Sequence, residues 1–535
     1  MFLSSITKNG TTKVSGKITM TNEDASRCGS CGAKATLKCT ACGTVYYCSK
    51  EHQKKHWKVH KKECLPYSEE NGPQQGRYLV ASRDIPAGHL IFKEKPLAIG
   101  PPSSSKAICL GCHSPITSPD YPKCPRCFWP LCSPECANSI LHIPECKYLS
   151  TDENSHGPPK SIDETPRYDV VLLLRCLALR NIKPDAWKII EKMVSHSEKY
   201  EKEKEPFHMT SVTYITEFLK DVCDVQTAHH VRGAIITNAI NTRGPQGQTI
   251  RGLYSKIYLL NHSCVPNVTL RADVYSTLYI HAAKVIKKGD PLVFSYVTSA
   301  APLWQRQEEL KCIYNFLCKC QRCTDPTELG THFSNPLCSK CKRGFLEPAE
   351  NYQHPWTCSD CGESKDLEHI IKVDDEILDE ITKSCTSFRD SSAMLQTVLK
   401  SYHPKHYVWL RIAQTILGKF SNENDTESLT LRKDIWQQVL LLFFKIEPGL
   451  TRRRGVSLFH AACLESEIFK QGETTGKLSP QEQLVAVTKI LYLLESAHEI
   501  MSLEPPNSVE QRWLRLVNEE ISKMKTIREK LEERH

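Results

Sequence analysis

Apolar and polar residues alternate from Gly76 to Ile99, in GRYLVAS and again in HLIFKEKPLAI, with Pro86-Ala87-Gly88 between them. That alternation predicts a β-hairpin. The stretch from Thr151 to Thr165 is polar with paired prolines and reads as a loop. A helical pattern opens at Val170, and a helical insert is expected to run to about Asp224. Strand signals return from Tyr254 to Leu260 and from Leu278 to Ala283. After the turn at Lys288-Gly289-Asp290, Leu292, Phe294 and Tyr296 share one face. Helical stripes then recur from Tyr407 to Leu417, from Ile435 to Phe443, at Leu484, Val487, Leu491 and Leu494, and at Val509, Trp513, Val517 and Ile521. The expected class is α+β, with a β-rich middle and a helical last third. Each stripe reads as core, and the charged run at the C-terminal end as a solvated helix face.

A chain of 535 residues has room for roughly three or four cored domains. Its 70 basic and 61 acidic residues leave a net charge of +9, too small an excess at this length to demand nucleic acid. Residues 1–27 are polar without an apolar leader, and no segment has the eighteen or so apolar residues of a membrane span. The protein is expected to be neither secreted nor membrane-bound.

Cysteine changes the picture, because most of the 26 fall in pairs two or three apart, joined by histidines. Such pairs suit thiolates converging on tetrahedral zinc better than a disulfide framework. The first cluster is Cys28, Cys31, Cys39, Cys42, Cys48, His52, His60 and Cys64, enough for two zincs. The second repeats its order as Cys109, Cys112, Cys124, Cys127, Cys132, Cys136, His142 and Cys146. In the third, Cys318, Cys320 and Cys323 lack a fourth local partner, for which Cys264 is the candidate. The fourth, Cys338, Cys341, Cys358 and Cys361, closes with zinc-ribbon spacing. All read as structural, since none shows an open coordination position. Cys176, Cys223, Cys312, Cys385 and Cys463 stand alone and read as core, and His56 as a packing or surface residue.

The first cluster, with YYCS from Tyr46 to Ser49 and HWKVHKKEC from His56 to Cys64, resembles the MYND finger. LLNHSCVPN from Leu259 to Asn267, GDPLVFSY from Gly289 to Tyr296 and CKCQRC from Cys318 to Cys323 resemble a SET domain in order and spacing. Together they resemble the SET and MYND domain (SMYD) family, and within it the arthropod SmydA branch, over nearly everything after Arg27. The resemblance implies a polar tail (1–27), a MYND finger (28–64), and a split SET domain (76–108 and 225–300). Into that domain are set a second MYND-type finger (109–146) and the helical insert (160–224). A post-SET zinc region (301–326), a zinc ribbon (327–365) and a helical, TPR-like C-terminal domain (366–535) follow. It also implies interleaved ligation. Cys28, Cys31, Cys48 and His52 would share one metal and Cys39, Cys42, His60 and Cys64 the next. Cys109, Cys112, Cys132 and Cys136 would share a third and Cys124, Cys127, His142 and Cys146 a fourth. With Cys264 completing the post-SET set, this makes about six structural zinc ions.

The function so implied is methyl transfer from S-adenosylmethionine to a lysine of a protein substrate, histone or non-histone, with a role in transcription and residence in cytoplasm, nucleus or both. Arg77, Tyr78, Asn238, Asn261 and His262 match cofactor-contacting positions, and Tyr296 and Tyr314 the tyrosines that line the lysine channel. The chain departs from the family pattern at Gly76-Arg77-Tyr78, where Gly-x-Gly is usual, at Asp290-Pro291, where paired glutamates are usual, and at Ile240 in place of an aromatic. Tyr78 therefore motivates an alternative: a weakly active or inactive scaffold whose MYND fingers bind proline-containing partners. Nucleic-acid binding through Lys54, Lys55, Lys58, Lys61 and Lys62 ranks last, because such a helix is ordinarily solvated or peptide-facing.

Overall fold

The computed structural model describes residues 27–39, 45–73, 76–103, 105–118, 120–150, 168–204, 206–219 and 222–533. Residues 1–26 of the polar tail, the loop from Thr151 to Thr165, and Cys42 lie outside the described residues. The chain divides into two compact units, Met1–Pro66 and Tyr67–His535.

In the first unit β1 (Leu37–Lys38) pairs antiparallel with β2 (Tyr46–Tyr47), and α1 (Lys50–Cys64) follows. The helix starts where it does because Ser49, in extended backbone, accepts the amide N–H of His52. The buried core is only Cys28, Ala35, Cys39, Tyr47 and Cys64. So small an apolar set cannot offset chain entropy, and metal ligation must make up the difference. His56 stacks on His60 at 5.8 Å and lies 3.1 Å from the Tyr47 hydroxyl, so it is a packing residue.

The second unit opens with β3 (Tyr67–Gly72), β4 (Gly76–Ala81), β5 (Leu90–Glu94) and β6 (Ala98–Gly100). The second finger follows and ends in α2 (Ile143–Leu149). The insert is α3 (Asp169–Ile182), α4 (Pro184–Ile190), α5 (Ser197–Lys202) and α6 (Pro206–Thr213). Next come α7 (Val225–Asn238), β7 (Ile240–Arg243), β8 (Thr249–Leu253), β9 (Asn261–His262), β10 (Val268–Ala272), β11 (Leu278–Ala282) and β12 (Val293–Phe294). The post-SET segment has α8 (Leu303–Tyr314) and α9 (Gln321–Thr324), and the ribbon β13 (Leu346–Glu347), β14 (Trp356–Cys358) and β15 (Ser364–Lys365). The helical array is α10 (Leu367–Ser384), α11 (Phe388–Val398), α12 (Tyr407–Lys419), α13 (Thr426–Ile446), α14 (Arg452–Thr474), α15 (Pro480–Met501) and α16 (Gln511–Glu532).

Three expectations are corrected. The alternation of residues 76–99 does not fold on itself: β4 pairs with β3, which begins ahead of the expected start at Gly76, and β5 pairs with β11. Alternation marks strands but cannot choose their partners. The strand expected from Tyr254 to Leu260 is instead β8, ending at Leu253, and a short 3-10 helix at Ile257–Leu259. The buried Glu94 carboxylate ends the strand by accepting the amides of Ser255, Lys256 and Ile257, satisfying the donors of the new turn. Cys312 is exposed, whereas Cys176 and Cys385 are buried as expected.

The insert helix α3 is buried on every side from Asp169 to Leu179, which makes it core rather than amphipathic. The four C-terminal stripes fall on α12, α13, α15 and α16, with Val509 just before α16. A polar seam fastens that helical array to the β-rich part. Leu450 donates its amide to the Ala283 carbonyl at 2.7 Å, and Val274 donates to Asn507 at 3.1 Å. Gly449 has φ +88°, and a Cβ there would collide with the same Ala283 carbonyl. Arg271 on β10 donates to Glu504 at 3.1 Å and to the carbonyls of Leu450 and Ile500, with both ionic side chains fully buried. Arg452 chelates the same carboxylate at 2.8 and 2.7 Å. Among the described residues no helix is long and apolar enough to cross a membrane.

Replacing Arg271 with Met strands part of a buried charge and is expected to destabilise this unit by roughly 3–5 kcal/mol. The check is the urea midpoint of the helical signal, with the exposed pair Lys383–Asp379 as a control whose loss leaves that midpoint unchanged.

Candidate active site

The segment from Leu260 to Asn267 and the segment from Pro291 to Tyr296 are knotted together by short-range polar bonds. β9 and β12 pair in parallel, Asn261 beside Val293 and His262 beside Phe294. Asn267 clamps the crossing: its Oδ1 accepts the Val293 amide and its Nδ2 donates to the Pro291 carbonyl, each at 2.8 Å. The Tyr296 hydroxyl donates to the Leu260 carbonyl at 2.7 Å, and the Tyr296 amide donates to His262 Nδ1 at 3.0 Å. The other ring nitrogen of His262 lies 3.3 Å from Cys264 Sγ.

Tyr314, the last residue of α8, brings its ring centroid to 4.7 Å from that of Tyr296. Phe294 and His262 flank Tyr296 at 5.0 and 5.2 Å, and Phe316 stands edge-on at 6.5 Å. The end of α8 is fixed by the insert: Lys199 donates to the carbonyls of Lys311 and Cys312, and Tyr200 to that of Ile313. Asn315 then leaves the helix in the left-handed conformation, φ 59°. Burial pushes the Tyr296 phenol upward, helped by Tyr314. Burial, reinforced by Glu309, pushes Tyr314 to about 12. Both are neutral hydrogen-bonding groups at physiological pH.

The other expected site residues meet around a short loop that carries no sequence signal. Arg77 donates to the Lys192 carbonyl at 2.7 Å and to the Tyr258 hydroxyl at 3.2 Å, with its guanidinium over the Tyr258 ring. Asn238, closing α7, donates through Nδ2 to the carbonyls of Val194 and Ala234. Lys192 and Val194 thus join Arg77 to Asn238 through backbone oxygens, which any residue type supplies. Tyr78 is half-buried on β4, in register with Glu70.

The cysteine clusters converge. Cys28, Cys31, Cys48 and His52 have their ligand atoms within 4.8 Å of one another, as do Cys109, Cys112, Cys132 and Cys136. The same holds for Cys124, Cys127, His142 and Cys146, for Cys264, Cys318, Cys320 and Cys323, and for Cys338, Cys341, Cys358 and Cys361. Cys39 and Cys64 lie 3.6 Å apart with His60 buried nearby in the sequence, while the expected fourth ligand Cys42 is outside the described residues. Thiolates on one tetrahedral zinc stand about 3.8 Å apart, against about 2 Å in a disulfide. The pairs observed at 3.4 Å for Cys264 and Cys323 and 3.7 Å for Cys338 and Cys361 match the metal geometry. The donor sets are therefore those of zinc.

Buried polar groups support these ligands. His142 Nδ1 lies 3.0 Å from Glu145, whose carboxylate receives Arg175 of α3 at 2.8 and 2.6 Å. Arg175 also donates to the carbonyls of Ile99 and Leu110, so one guanidinium joins the second finger to the SET strands. At the post-SET quartet, Gln307 of α8 brackets the backbone of Cys318 at 2.8 and 2.9 Å. Arg306 reaches Cys323 Sγ at 3.7 Å and Glu328 at 2.7 Å. The ribbon braces α8 from the other side, where Tyr352 and Gln353 both donate to Glu308.

Behind β12 lies a cleft of about 950 Å3 between the SET strands and α12, α13 and α14. Val268, Leu270 and Phe294 line one side, and Trp436 stacked on His460 lines the other, with Arg453 and Glu447 paired at 3.0 Å. The cleft was invisible in the sequence because its walls come from segments more than a hundred residues apart.

Comparison with known proteins agrees with this architecture. Residues 28–64 match the MYND finger family and residues 76–297 the SET domain family. The SET domain-containing protein SmydA-8, isoform A, of Drosophila melanogaster is 26% identical over 70% of this chain and 83% of its own length. Histone-lysine N-methyltransferase ASHR1 of Arabidopsis thaliana is 26% identical over 70% of this chain and 80% of its own. N-lysine methyltransferase SMYD2 of Gallus gallus is 24% identical over 70% and 88%. Fold and site thus define a zinc-built SET-domain protein. The chain carries a MYND finger and a SET domain, the pair that defines the SET and MYND domain-containing proteins, and it is similar to SmydA-8 over most of its length.

Mass spectrometry under native conditions is expected to find about six zinc ions per chain. Glu145→Gln weakens retention at the His142 site by roughly 10–100-fold, read by competition with a chromophoric chelator.

Proposed function

We propose that this protein is a protein-lysine N-methyltransferase that uses S-adenosylmethionine. The observation that carries the proposal is the half-buried pair Tyr296 and Tyr314, ring centroids 4.7 Å apart, beside the strand of Asn261 and His262, with Phe294, Ser295 and Val297 lining a cleft large enough for a peptide. Two relatives, ASHR1 and SMYD2, bear names of lysine methyltransferases and are matched over 80% and 88% of their own lengths.

When bound, S-adenosylmethionine supplies an electrophilic methyl carbon. The chain's own residues fit it chemically. Arg77 offers a guanidinium for a carboxylate. Asn238 uses its amide N–H groups on Val194 and Ala234 and so presents Oδ1 as an acceptor for an ammonium. Asn261 and His262 approach as a β-strand, through backbone groups, and Tyr78 completes the wall. The Tyr296 hydroxyl, aimed by its bond to the Leu260 carbonyl, and Tyr314 confine the lysine amine and keep water out. Neither phenol is a base at neutral pH, so the residues align an amine that has already lost its proton.

The substrate is a protein, histone or non-histone, whose chain on either side of the lysine lies in the cleft. Binding of proline-containing peptides by the MYND fingers, a role in transcription, and residence in nucleus or cytoplasm belong to the same proposal. The intact tyrosine pair favours it over the scaffold reading.

Calorimetry on the zinc-loaded chain is expected to show micromolar S-adenosylmethionine binding, and its absence would leave the scaffold. Tyr296→Phe keeps that binding and lowers kcat by about 100-fold. Because lysine loses its proton near pH 10.4 and both tyrosines stay neutral to higher pH, kcat/KM rises steadily from pH 7 to about 9. A plateau below pH 8 would reveal a general base that the structure does not place here.

A further inference from the structure

We propose that the imidazole of His262 is a positioning residue: it holds Tyr296 at a fixed distance from the post-SET thiolates, and the cofactor meets only the backbone of this residue. A metal-bound thiolate carries no proton, so the hydrogen between His262 and Cys264 Sγ, 3.3 Å apart, sits on Nε2. That tautomer leaves Nδ1 as an acceptor, and the Tyr296 amide donates to it at 3.0 Å. The ring thus has a proton on the side of the thiolate, a lone pair on the side of Tyr296, and no ring nitrogen left over.

Tyr296 is then held at both ends by one three-residue segment, at its amide by His262 and at its hydroxyl by the Leu260 carbonyl. Tyr314 is referred to the same quartet by a separate route. Gln307 grips Cys318 and Arg306 reaches Cys323, both from the helix that ends in Tyr314. Zinc geometry therefore sets the gap between the two tyrosines. An error of about 1 Å there costs on the order of 100-fold in rate.

The test uses the full chain and three substitutions. His262→Asn puts an oxygen where Nδ1 stands and keeps the acceptor for Tyr296. His262→Gln puts an amide nitrogen where Nε2 stands and keeps the donor to Cys264. His262→Phe removes both. With Co2+ replacing zinc, the thiolate-to-metal absorption is expected to shift in the Asn and Phe variants and to match the parent in the Gln variant. All three bind S-adenosylhomocysteine within about threefold of the parent. For turnover, Phe lowers kcat by about 100-fold with KM unchanged, and Asn restores most of the loss. This last arm rests on the methyltransferase reading. Should the parent transfer no methyl group, that reading fails and the Co2+ spectra still decide the contact between His262 and Cys264. Unshifted spectra in every variant, or affinity for S-adenosylhomocysteine falling about tenfold in all three, would overturn the proposal.

Discussion

Four thiolates inside 4.8 Å of one another repel, and in a buried place only a dication makes them compatible. At Cys264, Cys318, Cys320 and Cys323 that requirement has a topological consequence. One ligand sits on the segment after β9 and three come after α8, so the ion would close a loop that contains β12, which pairs with β9. The strand pairing is only two residues long on each side. Such a pairing is marginal by itself, and it persists because the metal fixes its ends and Asn267 clamps its middle. The tyrosine pair and the floor of the cleft are built on this crossing.

The same solution recurs at three seams within the second unit. Arg175 joins the second finger to the insert and the SET strands, Arg271 joins the SET strands to the helical array, and Arg306 with Arg322 joins the post-SET loop to the ribbon through Glu328. Each guanidinium is buried, each meets a carboxylate, and each also donates to at least one backbone carbonyl. A buried ion pair gains little over a well-packed apolar contact, but a half-broken one is costly. These seams consequently tolerate one geometry, and the cleft behind β12 keeps its width. Methyl transfer needs alignment more than acid–base power, and a rigid frame supplies it.

The zinc ligands were legible because metal spacing is local: a Cys-x2-Cys turn brings two thiolates together whatever surrounds it. The stripes on α12, α13, α15 and α16 were legible for a similar reason, since a helix repeats its own face. Cys264 lies far from its partners in sequence and was found by counting, as three thiolates need a fourth. Sequence reasoning misplaced the hairpin at residues 76–99 and the strand at 254–260. In both cases a distant residue decided, β11 taking β5 as its neighbour and Glu94 turning residues 255–257 into a capped 3-10 helix.

The sequence by itself determined the α+β class of the molecule, its metal-ligand types and its helical C-terminal third. All of these depend on periodicity or on spacing within a few tens of residues, where the backbone leaves few choices. Only the tertiary structure decided which strands pair, that Lys192 and Val194 bridge Arg77 to Asn238 through their carbonyls, and that His262 spends both ring nitrogens between Cys264 and Tyr296. Backbone oxygens have no residue signature, and the direction of a hydrogen bond depends on what the fold has placed opposite it.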